Sequence, residues 1–384
     1  MKTLRLVPTI DGTTTTITAS QDGEPERSVF YQFDGALTPD ASGIGNAALV
    51  AFLPYAMQRG LDIQVESEVD EDLLAQLEEV QDAWSRWHPG LFRRVGLDVA
   101  GVRPAMLPAT RTAVAAFSGG LDSIFAVHAH KRDLLGYRKL DVRSGVLIQG
   151  FDLPLDQPVW FEDARRRASL MLTSYGLSLT TVRTNWRTLG APWELGYIFG
   201  VASVLHQLKG RVGQAIIASD NAYGGDMPGW GSNAASNQMM SGPSFPLHFT
   251  GGGWSRTEKA AALTGEAAVL ENLRVCWERP ESLGNCGRCE KCIRTKLNFM
   301  ANGVGHVPAL GIPVTPRSIR GVLIRNAPVL ELYRDLASEP WPGRPGIKAA
   351  LESLVKRGVR RQSGWESRLL KYQRSLRKRG LWPR

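Results

Sequence analysis

A short run of small and polar residues at Ser118–Ser123, with the sequence Ser-Gly-Gly-Leu-Asp-Ser, has the composition of a phosphate-binding site. It follows a nearly continuous apolar segment, Thr112 to Phe117, and opens a segment with a helical pattern, Asp122 to Arg132. Two adjacent glycines let the backbone turn tightly and approach a ligand closely, so that successive N–H groups point into one concavity. The first turn of a helix adds unpaired N–H groups and a positive dipole end. We therefore expect an anion-binding loop between a strand and a helix.

The side chains of this run support the same chemistry. Ser118 and Ser123 would donate hydrogen bonds from their hydroxyl groups, and Asp122 beside a polyphosphate would bind Mg²⁺, directly or through water. The run lacks the lysine that closes the G-x-x-x-x-G-K-[ST] loop, and it does not match the dinucleotide pattern G-x-G-x-x-G. An ordinary glycine turn between a strand and a helix is the structural alternative.

The four cysteines of the chain form a second candidate site. Cys276, Cys286, Cys289 and Cys292 lie within 17 residues. A disulfide framework normally spreads its cysteines through a small domain, whereas a cluster this tight is typical of a metal site. Four thiolates suit the tetrahedral preference of Zn²⁺ and leave no open coordination position, so the sequence predicts a structural zinc knuckle at 276–292. An iron–sulfur cluster is the alternative.

From about residue 110 the sequence alternates between strand-like and helix-like segments, which predicts an α/β fold with a mostly parallel sheet flanked by helices. The predicted strands are 112–117, 145–148, 179–183 and 214–218. Ligands in such folds bind beyond the carboxyl ends of the strands. Gln149 and Asp152 follow the second strand and Asp220 follows the fourth, so they are candidate contacts. The segment from Asp220 to Gly253 contains eight glycines and predicts a long functional or mobile loop.

The first hundred residues predict a separate α+β domain at 1–109 with a structural or partner-docking role. Two β-rich runs flank Asp11-Gly12, which is a strong hairpin signal. Asn46 to Arg59 and Asp70 to Trp87 read as helices, and Ile63 to Glu66 alternates like a strand. The nucleotide-binding domain would then span 110–302, and a helical basic extension would span 303–384.

The net charge of +9 is unevenly distributed along the chain. Residues 344–384 hold 13 basic and 2 acidic side chains, whereas residues 1–108 hold 8 basic and 16 acidic ones. Basic residues interleaved with Trp365, Tyr372 and Trp382 could contact the phosphates and bases of a nucleic acid. The alternative is an amphipathic helix that docks on an acidic protein surface, such as the N-terminal domain.

Composition excludes several classes of protein. With 43% hydrophobic and 22% charged residues, the chain is too apolar for a disordered protein. No apolar run reaches the roughly 18 residues that cross a bilayer. The N-terminus lacks the apolar core of a signal peptide. These features predict a cytoplasmic protein without a membrane partner.

The Ser-Gly-Gly-x-Asp-Ser run after a first strand resembles the signature of the PP-loop ATP pyrophosphatases. That family has an adenine-nucleotide α-hydrolase-like fold, and its members split ATP into AMP and pyrophosphate while adenylating a substrate. The resemblance implies ATP and Mg²⁺ as ligands. The residues that it places around the pyrophosphate are Ser118, Gly119, Gly120, Leu121, Asp122 and Ser123.

The cysteine spacing narrows the resemblance to the 7-cyano-7-deazaguanine synthases of this family. A helix carrying Arg294 and Lys296 follows the last cysteine, as in those enzymes. Ser255–Glu258 resembles their Thr-Lys-x-Glu segment, with Arg256 in the place of the lysine. Arginine keeps the positive charge and could still contact a phosphate, although its geometry differs. The alternative for Arg256 is an ordinary charge on a helix surface.

Two departures separate this chain from those synthases. It has about 110 additional residues before the shared region and about 80 after it, and the substrate pattern Tyr-x-Asp-Cys-Arg is replaced by Ser219–Tyr223. In its added length the chain resembles synthase-like components of anti-phage systems, of the Qat and cyclic-oligonucleotide types. There a deazaguanine can be attached to a partner protein.

The resemblance implies a ligase that activates the carboxylate of a deazaguanine-like substrate and then forms an amide or a nitrile with ammonia or a protein amine. Asp122, Ser118 and Arg256 would be the catalytic residues. A tRNA-modifying enzyme of the same superfamily is one alternative, although a sulfur-transferring version would need a cysteine outside the metal site. A nucleotide-binding subunit without catalytic activity is the other alternative.

Overall fold

The structure is a computed structural model that describes residues 2–224, 229–276, 278 and 283–378, with only the backbone described beyond residue 362. Within these residues ten strands form one sheet, in the order β10-β9-β6-β7-β8-β3-β2-β1-β4-β5. The strands are β1 (Thr3–Asp11), β2 (Thr14–Ser20), β3 (Arg27–Gly35), β4 (Asp62–Asp70), β5 (Leu97–Arg103), β6 (Thr112–Ala116), β7 (Asp141–Gln149), β8 (Ser178–Thr184), β9 (Gln214–Ala218) and β10 (Leu247–Thr250).

Most neighbouring strands of the sheet are parallel. Strands β10, β9, β6, β7 and β8 pair in parallel, as do β1, β4 and β5. The antiparallel pairs are β1–β2, β2–β3 and β3–β8. The predicted α/β class with a mostly parallel sheet is therefore confirmed. The expected boundary at residues 109 and 110 coincides with the connection between β5 and β6, although the sheet itself continues through the β3–β8 pair.

Helices cover the sheet and extend beyond it. They are α1 (Ala41–Arg59), α2 (Glu71–Trp87), α3 (Leu121–Lys131), α4 (Pro158–Ser174), α5 (Trp193–His206), α6 (Ala234–Met239), α7 (Arg256–Ala262), α8 (Ala267–Asn272), α9 (Glu290–Ala301), α10 (Pro316–Arg320), α11 (Ala327–Ser338) and α12 (Pro345–Lys378). Short 3-10 helices occur at Gly136–Arg138, Trp186–Leu189 and Pro308–Leu310.

Successive side chains of the central strands point to opposite faces of the sheet, so the core is divided between these two faces. In β6, Val114 packs into the core formed with α1, α2 and α5, whereas Ala113 and Ala115 pack on the opposite face with α3 and α4. Successive side chains of a strand point to opposite faces, so strand β6 is covered on both sides. A strand enclosed in this way can hold the loop at its end rigidly.

A third core lies outside the sheet and joins α9 to the C-terminal helices. Leu297 of α9 packs with Ile319 of α10, Tyr333 of α11 and Leu351 of α12. The basic segment thus begins in a helix that packs on α10 and α11. The predicted stacking side chains of Trp365, Tyr372 and Trp382 lie outside the part that the structure describes. No helix within the described residues combines the length and apolar character required to cross a membrane.

The local predictions are confirmed where short-range signals are strong. The hairpin predicted from Asp11-Gly12 is present, with Gly12 and Thr13 as its two turn residues and Gly12 at a φ of +57°. Helix α1 ends at Gly60 as expected, but it begins at Ala41 because Asp40 caps it by accepting a hydrogen bond from the Ser42 N–H. The prediction of one long loop from Asp220 to Gly253 is wrong in part, since α6 and β10 lie within that range.

Candidate functional site at the end of strand β6

The loop Ser118–Ser123 joins the end of β6 to the start of α3, as predicted. Gly119 has a φ of +76°, a left-handed conformation that favours glycine. The Ser118 Oγ accepts a hydrogen bond from the Gly120 N–H at 3.3 Å. The Ser123 Oγ donates to the Gly120 carbonyl at 3.0 Å and lies 3.3 Å from the Ser118 Oγ. Both predicted hydroxyl groups therefore lie in the loop and fix its turn.

The order of the strands places this loop at a topological switch point. From β6 the chain continues on one side to β7 and β8, whereas β9 and β10 lie on the other side. The loops that follow β6 and β9 therefore start at the same edge of the sheet and run in opposite directions. A crevice lies between them, and ligands of α/β folds bind in such a crevice. Ser118–Ser123 and Ser219-Asp220 are the segments that border this crevice.

Asp122 lies between two cations of helix α7. The Asp122 Oδ2 is 3.0 Å from the Arg256 Nη2, and its Oδ1 is 2.9 Å from the Lys259 Nζ. Burial alone would raise the pKa of Asp122, but the charges of Arg256 and Lys259 outweigh it and lower the pKa to about 2. The carboxylate is therefore ionised at neutral pH. Both of its oxygens accept hydrogen bonds, so it could bind Mg²⁺ only after one cation moves away.

Lys259 is a site residue that the sequence analysis missed. Its side chain is fully buried, and its ammonium group also donates to the Ser219 carbonyl at 2.6 Å. Ser255 and Glu258 form a capping box that starts α7, with the Glu258 carboxylate 2.7 Å from the Ser255 N–H. Because residues three apart share one face of a helix, the predicted position of Arg256 already implied that Lys259 would face the loop.

The candidate residues at the strand ends differ in their relation to the loop. Asp220 accepts a hydrogen bond from the Tyr197 hydroxyl. Burial lowers the pKa of Arg256, but Asp122 and Asp220 outweigh this effect and raise it. Gln149 is buried and bonds to the Pro154 carbonyl and the Arg183 guanidinium, so its polar atoms are engaged away from the loop.

Asp152 is exposed, and among the described residues its carboxylate has no hydrogen bond or ion pair. The structure thus brings Asp220 close to Arg256 of α7, but it does not bring Gln149 or Asp152 to the loop.

The four cysteines converge on one point, as predicted. Their sulfur atoms all lie within 4.8 Å of one another. The sulfurs of Cys276 and Cys289 are 3.8 Å apart, and those of Cys286 and Cys292 are 4.0 Å apart. Four sulfurs at about 2.3 Å from a central zinc ion form a tetrahedron with edges of about 3.8 Å. The geometry therefore fits a single tetrahedral ion, and a cluster of several irons would need wider spacing.

The cluster of four cysteines is joined directly to the loop. The Arg274 N–H donates to the Gly119 carbonyl at 2.8 Å, and Val275 and Cys276 follow immediately. The N–H groups of Val275 and Cys276 donate to the Asn285 Oδ1 at 2.9 and 3.0 Å. A metal ion at the cysteines would thus fix the segment that packs on the first glycine of the loop.

Helix α3 carries a buried histidine behind the loop. The His130 Nε2 lies 3.1 Å from the Thr250 hydroxyl, and its Nδ1 accepts a hydrogen bond from the Leu140 N–H at 3.0 Å. Burial and, to a smaller extent, the positive charges of His248 and Arg138 lower its pKa to about 4. His130 is therefore neutral at physiological pH and has a structural role.

Comparisons with known proteins leave this site to be interpreted from its own geometry. No protein-family model matches the chain, and no curated protein or solved structure matches it.

Proposed function

We propose that this protein is an ATP-dependent adenylating enzyme that activates a carboxylate on a 7-deazaguanine-like substrate and joins it to an amine. One observation carries the proposal. The glycine loop, with its ionised Asp122 and the two cations of α7, lies at the switch point of a mostly parallel sheet, where the fold favours binding of a polyphosphate. The resemblance of this loop to the PP-loop signature supplies the reaction.

In the proposed reaction, an oxygen of the substrate carboxylate attacks the α-phosphorus of ATP. The bond to the bridging oxygen breaks, and pyrophosphate leaves into the Ser118–Ser123 loop. The resulting acyl adenylate contains a good leaving group, so an amine can displace AMP and form an amide with loss of a proton. Loop N–H groups and Arg256 would stabilise the charge on the departing phosphates. Mg²⁺, if bound by Asp122, would neutralise part of the same charge.

The metal knuckle would serve this reaction structurally. Four thiolates leave no open coordination position for a substrate, so we assign the site to Zn²⁺ with no step in the reaction. Its contribution would be to hold Arg274 against Gly119 and thereby to keep the loop in its binding conformation. The same use of all four cysteines disfavours a sulfur-transfer reaction.

The acceptor amine is the less defined part of the proposal. The segment after β9 differs from the substrate pattern of the resembled synthases, and the additional residues at both ends resemble anti-phage components that modify a partner protein. We therefore propose a protein amine as an acceptor beside ammonia. A partner could dock through residues 1–109 or the basic helix, and a nucleic acid at residues 344–384 is the alternative partner.

Product analysis by mass spectrometry tests the proposal. The protein would be incubated with Mg-ATP and 7-carboxy-7-deazaguanine, with and without ammonia. We expect AMP, pyrophosphate and a base whose mass has changed, and all three should be lost in D122A but retained in the exposed control D152A. Mass added to a protein would indicate conjugation. ATP that stays intact in the presence of the base would contradict the proposed activity.

Binding of ATP without turnover is the second candidate function. It is favoured by the engagement of both Asp122 oxygens by Arg256 and Lys259, because this leaves the carboxylate no free position for Mg²⁺ in the arrangement described. Equilibrium binding of ATP to the wild type, measured with and without Mg²⁺, separates the two functions. Tight binding that does not depend on Mg²⁺, together with absence of AMP, would favour the binding role.

A further inference from the structure

Lys259 is held differently from its neighbour Arg256. The Lys259 side chain is 1% exposed, and its ammonium group is shared between the Asp122 carboxylate and the Ser219 carbonyl. The Phe125 ring covers it, with the Nζ 6.0 Å from the ring centroid. The ammonium group therefore has protein partners and no path to solvent. It connects the loop after β6 with the end of β9.

Arg256 has more freedom than Lys259. Its side chain is 16% exposed, and Asp122 is the one residue to which it donates hydrogen bonds among those described. It also borders a small cavity of about 10 Å³ between α7, α9 and α11, which is lined by Thr257, Asn298 and Asp335. A partly exposed cation without a backbone partner can turn toward an arriving phosphate, whereas a buried ammonium fixed by a backbone carbonyl cannot.

Fold stability alone does not explain the position of Lys259. Taking an ammonium and a carboxylate out of water is costly, and apolar side chains of the same volume often stabilise a fold equally well. The carboxylate of this pair, Asp122, is the only one in the anion-binding loop Ser118–Ser123. Orientation of that carboxylate accounts for the arrangement better than stabilisation does.

We propose that Lys259 is a positioning residue, which holds Asp122 and the end of β9 in place while Arg256 exchanges from Asp122 to the phosphates of ATP. The inference rests on the proposed adenylation. Lys259 itself would not contact ATP. It would act by fixing the direction of the Asp122 carboxylate, and through Ser219 it would fix the start of the segment that contains Asp220.

Steady-state kinetics of K259M, K259Q and K259R test this role, with pyrophosphate release as the measured rate. The matched control is K209M, because Lys209 forms an ion pair with the buried Asp70 far from the loop in sequence. We expect K259M to lower kcat by about 100-fold while the KM for ATP changes by less than about threefold, since misalignment affects the reacting geometry more than phosphate binding. K259R should recover at least about tenfold of the loss, because it keeps the charge and the donors.

The controls separate positioning from folding. K209M should melt at a lower temperature than the wild type but keep its kcat. If K259M does not fold, then K259Q, which keeps one donor group without the charge, should show the same loss of kcat. A kcat within threefold of the wild type in any folded uncharged variant, or an equal loss in K209M, would overturn the inference. A wild-type protein that releases no pyrophosphate would overturn the proposed function, and this role with it.

Discussion

Neutralising Asp122 tests whether the two cations of α7 depend on its charge. The substitution D122N keeps the shape of the side chain but removes the carboxylate that contacts both Arg256 and Lys259. Lys259 is almost completely buried, so it would lose its only anionic partner among the described residues. Neutralising a charged residue in a binding site often stabilises the protein, because it relieves repulsion between like charges in that site. Here two cations share one carboxylate, and we expect the opposite.

The structure gives the magnitude of this effect. The pKa of Asp122 falls from 3.8 to about 2, and at about 1.4 kcal/mol per pH unit this difference corresponds to about 2 kcal/mol. An asparagine resembles the neutral carboxyl group, so D122N should lower the free energy of unfolding by about 2 kcal/mol at pH 7. The loss could reach about 3–5 kcal/mol if Lys259 stays charged without a partner.

Urea unfolding of D122N at pH 7 would measure this loss, with D152N as the control because Asp152 is exposed. A carboxylate with a lowered pKa stabilises the fold above its unfolded value of 3.8, and this contribution disappears as the pH falls toward 2. The difference between the wild type and D122N should therefore be constant above about pH 5 and shrink in acid. Equal stabilities at pH 7, or a more stable D122N, would refute the claim that Asp122 neutralises buried charge.

Three further predictions concern the rest of the fold. Purified protein should contain one zinc ion per chain by elemental analysis, and C292S should lose it and melt at a lower temperature, because the four sulfurs already have tetrahedral spacing. When the pH falls from 7 to 5, the free energy of unfolding should decrease by about 2 kcal/mol less in H130Q than in the wild type. The reason is that the pKa of His130 is lowered to about 4 in the folded chain, so protonation favours the unfolded chain. G43A should lose about 1–3 kcal/mol in urea unfolding, whereas G253A should lose little. The reason is that a Cβ at Gly43 would lie 1.9 Å from the His206 carbonyl, and Gly253 has nothing within 4 Å.

The sequence predicted the parts of the fold that depend on neighbouring residues. Asp11-Gly12 marked the first hairpin, and apolar residues at helical spacing marked α2 almost to its ends. The glycine loop was predicted because its residue types and its place after a strand are both local. The cysteine cluster was predicted for the same reason, since a short spacing limits how far apart the sulfurs can lie.

Long-range pairing could not be predicted in this way. Strand β3 has an alternating pattern, with Val29, Tyr31 and Phe33 buried, and it pairs with β8 about 150 residues later in the chain. No periodicity identifies the partner of a strand, so the N-terminal residues predicted a separate domain and not a continuation of the sheet. Helical spacing places Lys259 on the face of Arg256, but its burial was not predictable because it depends on the Ser219 carbonyl and the Phe125 ring, which only the folded chain brings together.

The two parts of the proposed function, binding of ATP and transfer to an amine acceptor, depend on different features of the structure. Binding of a polyphosphate is supported by two independent features, because the order of the strands defines a crevice beside β6 without reference to the residues of the loop. The acceptor depends on the segment after β9, where α6 and β10 interrupt the expected loop and where the resemblance is weakest. A failure to use deazaguanine would therefore leave ATP binding unaffected, whereas a failure to bind ATP would remove both parts. ATP binding is for this reason the property on which the remaining proposals depend.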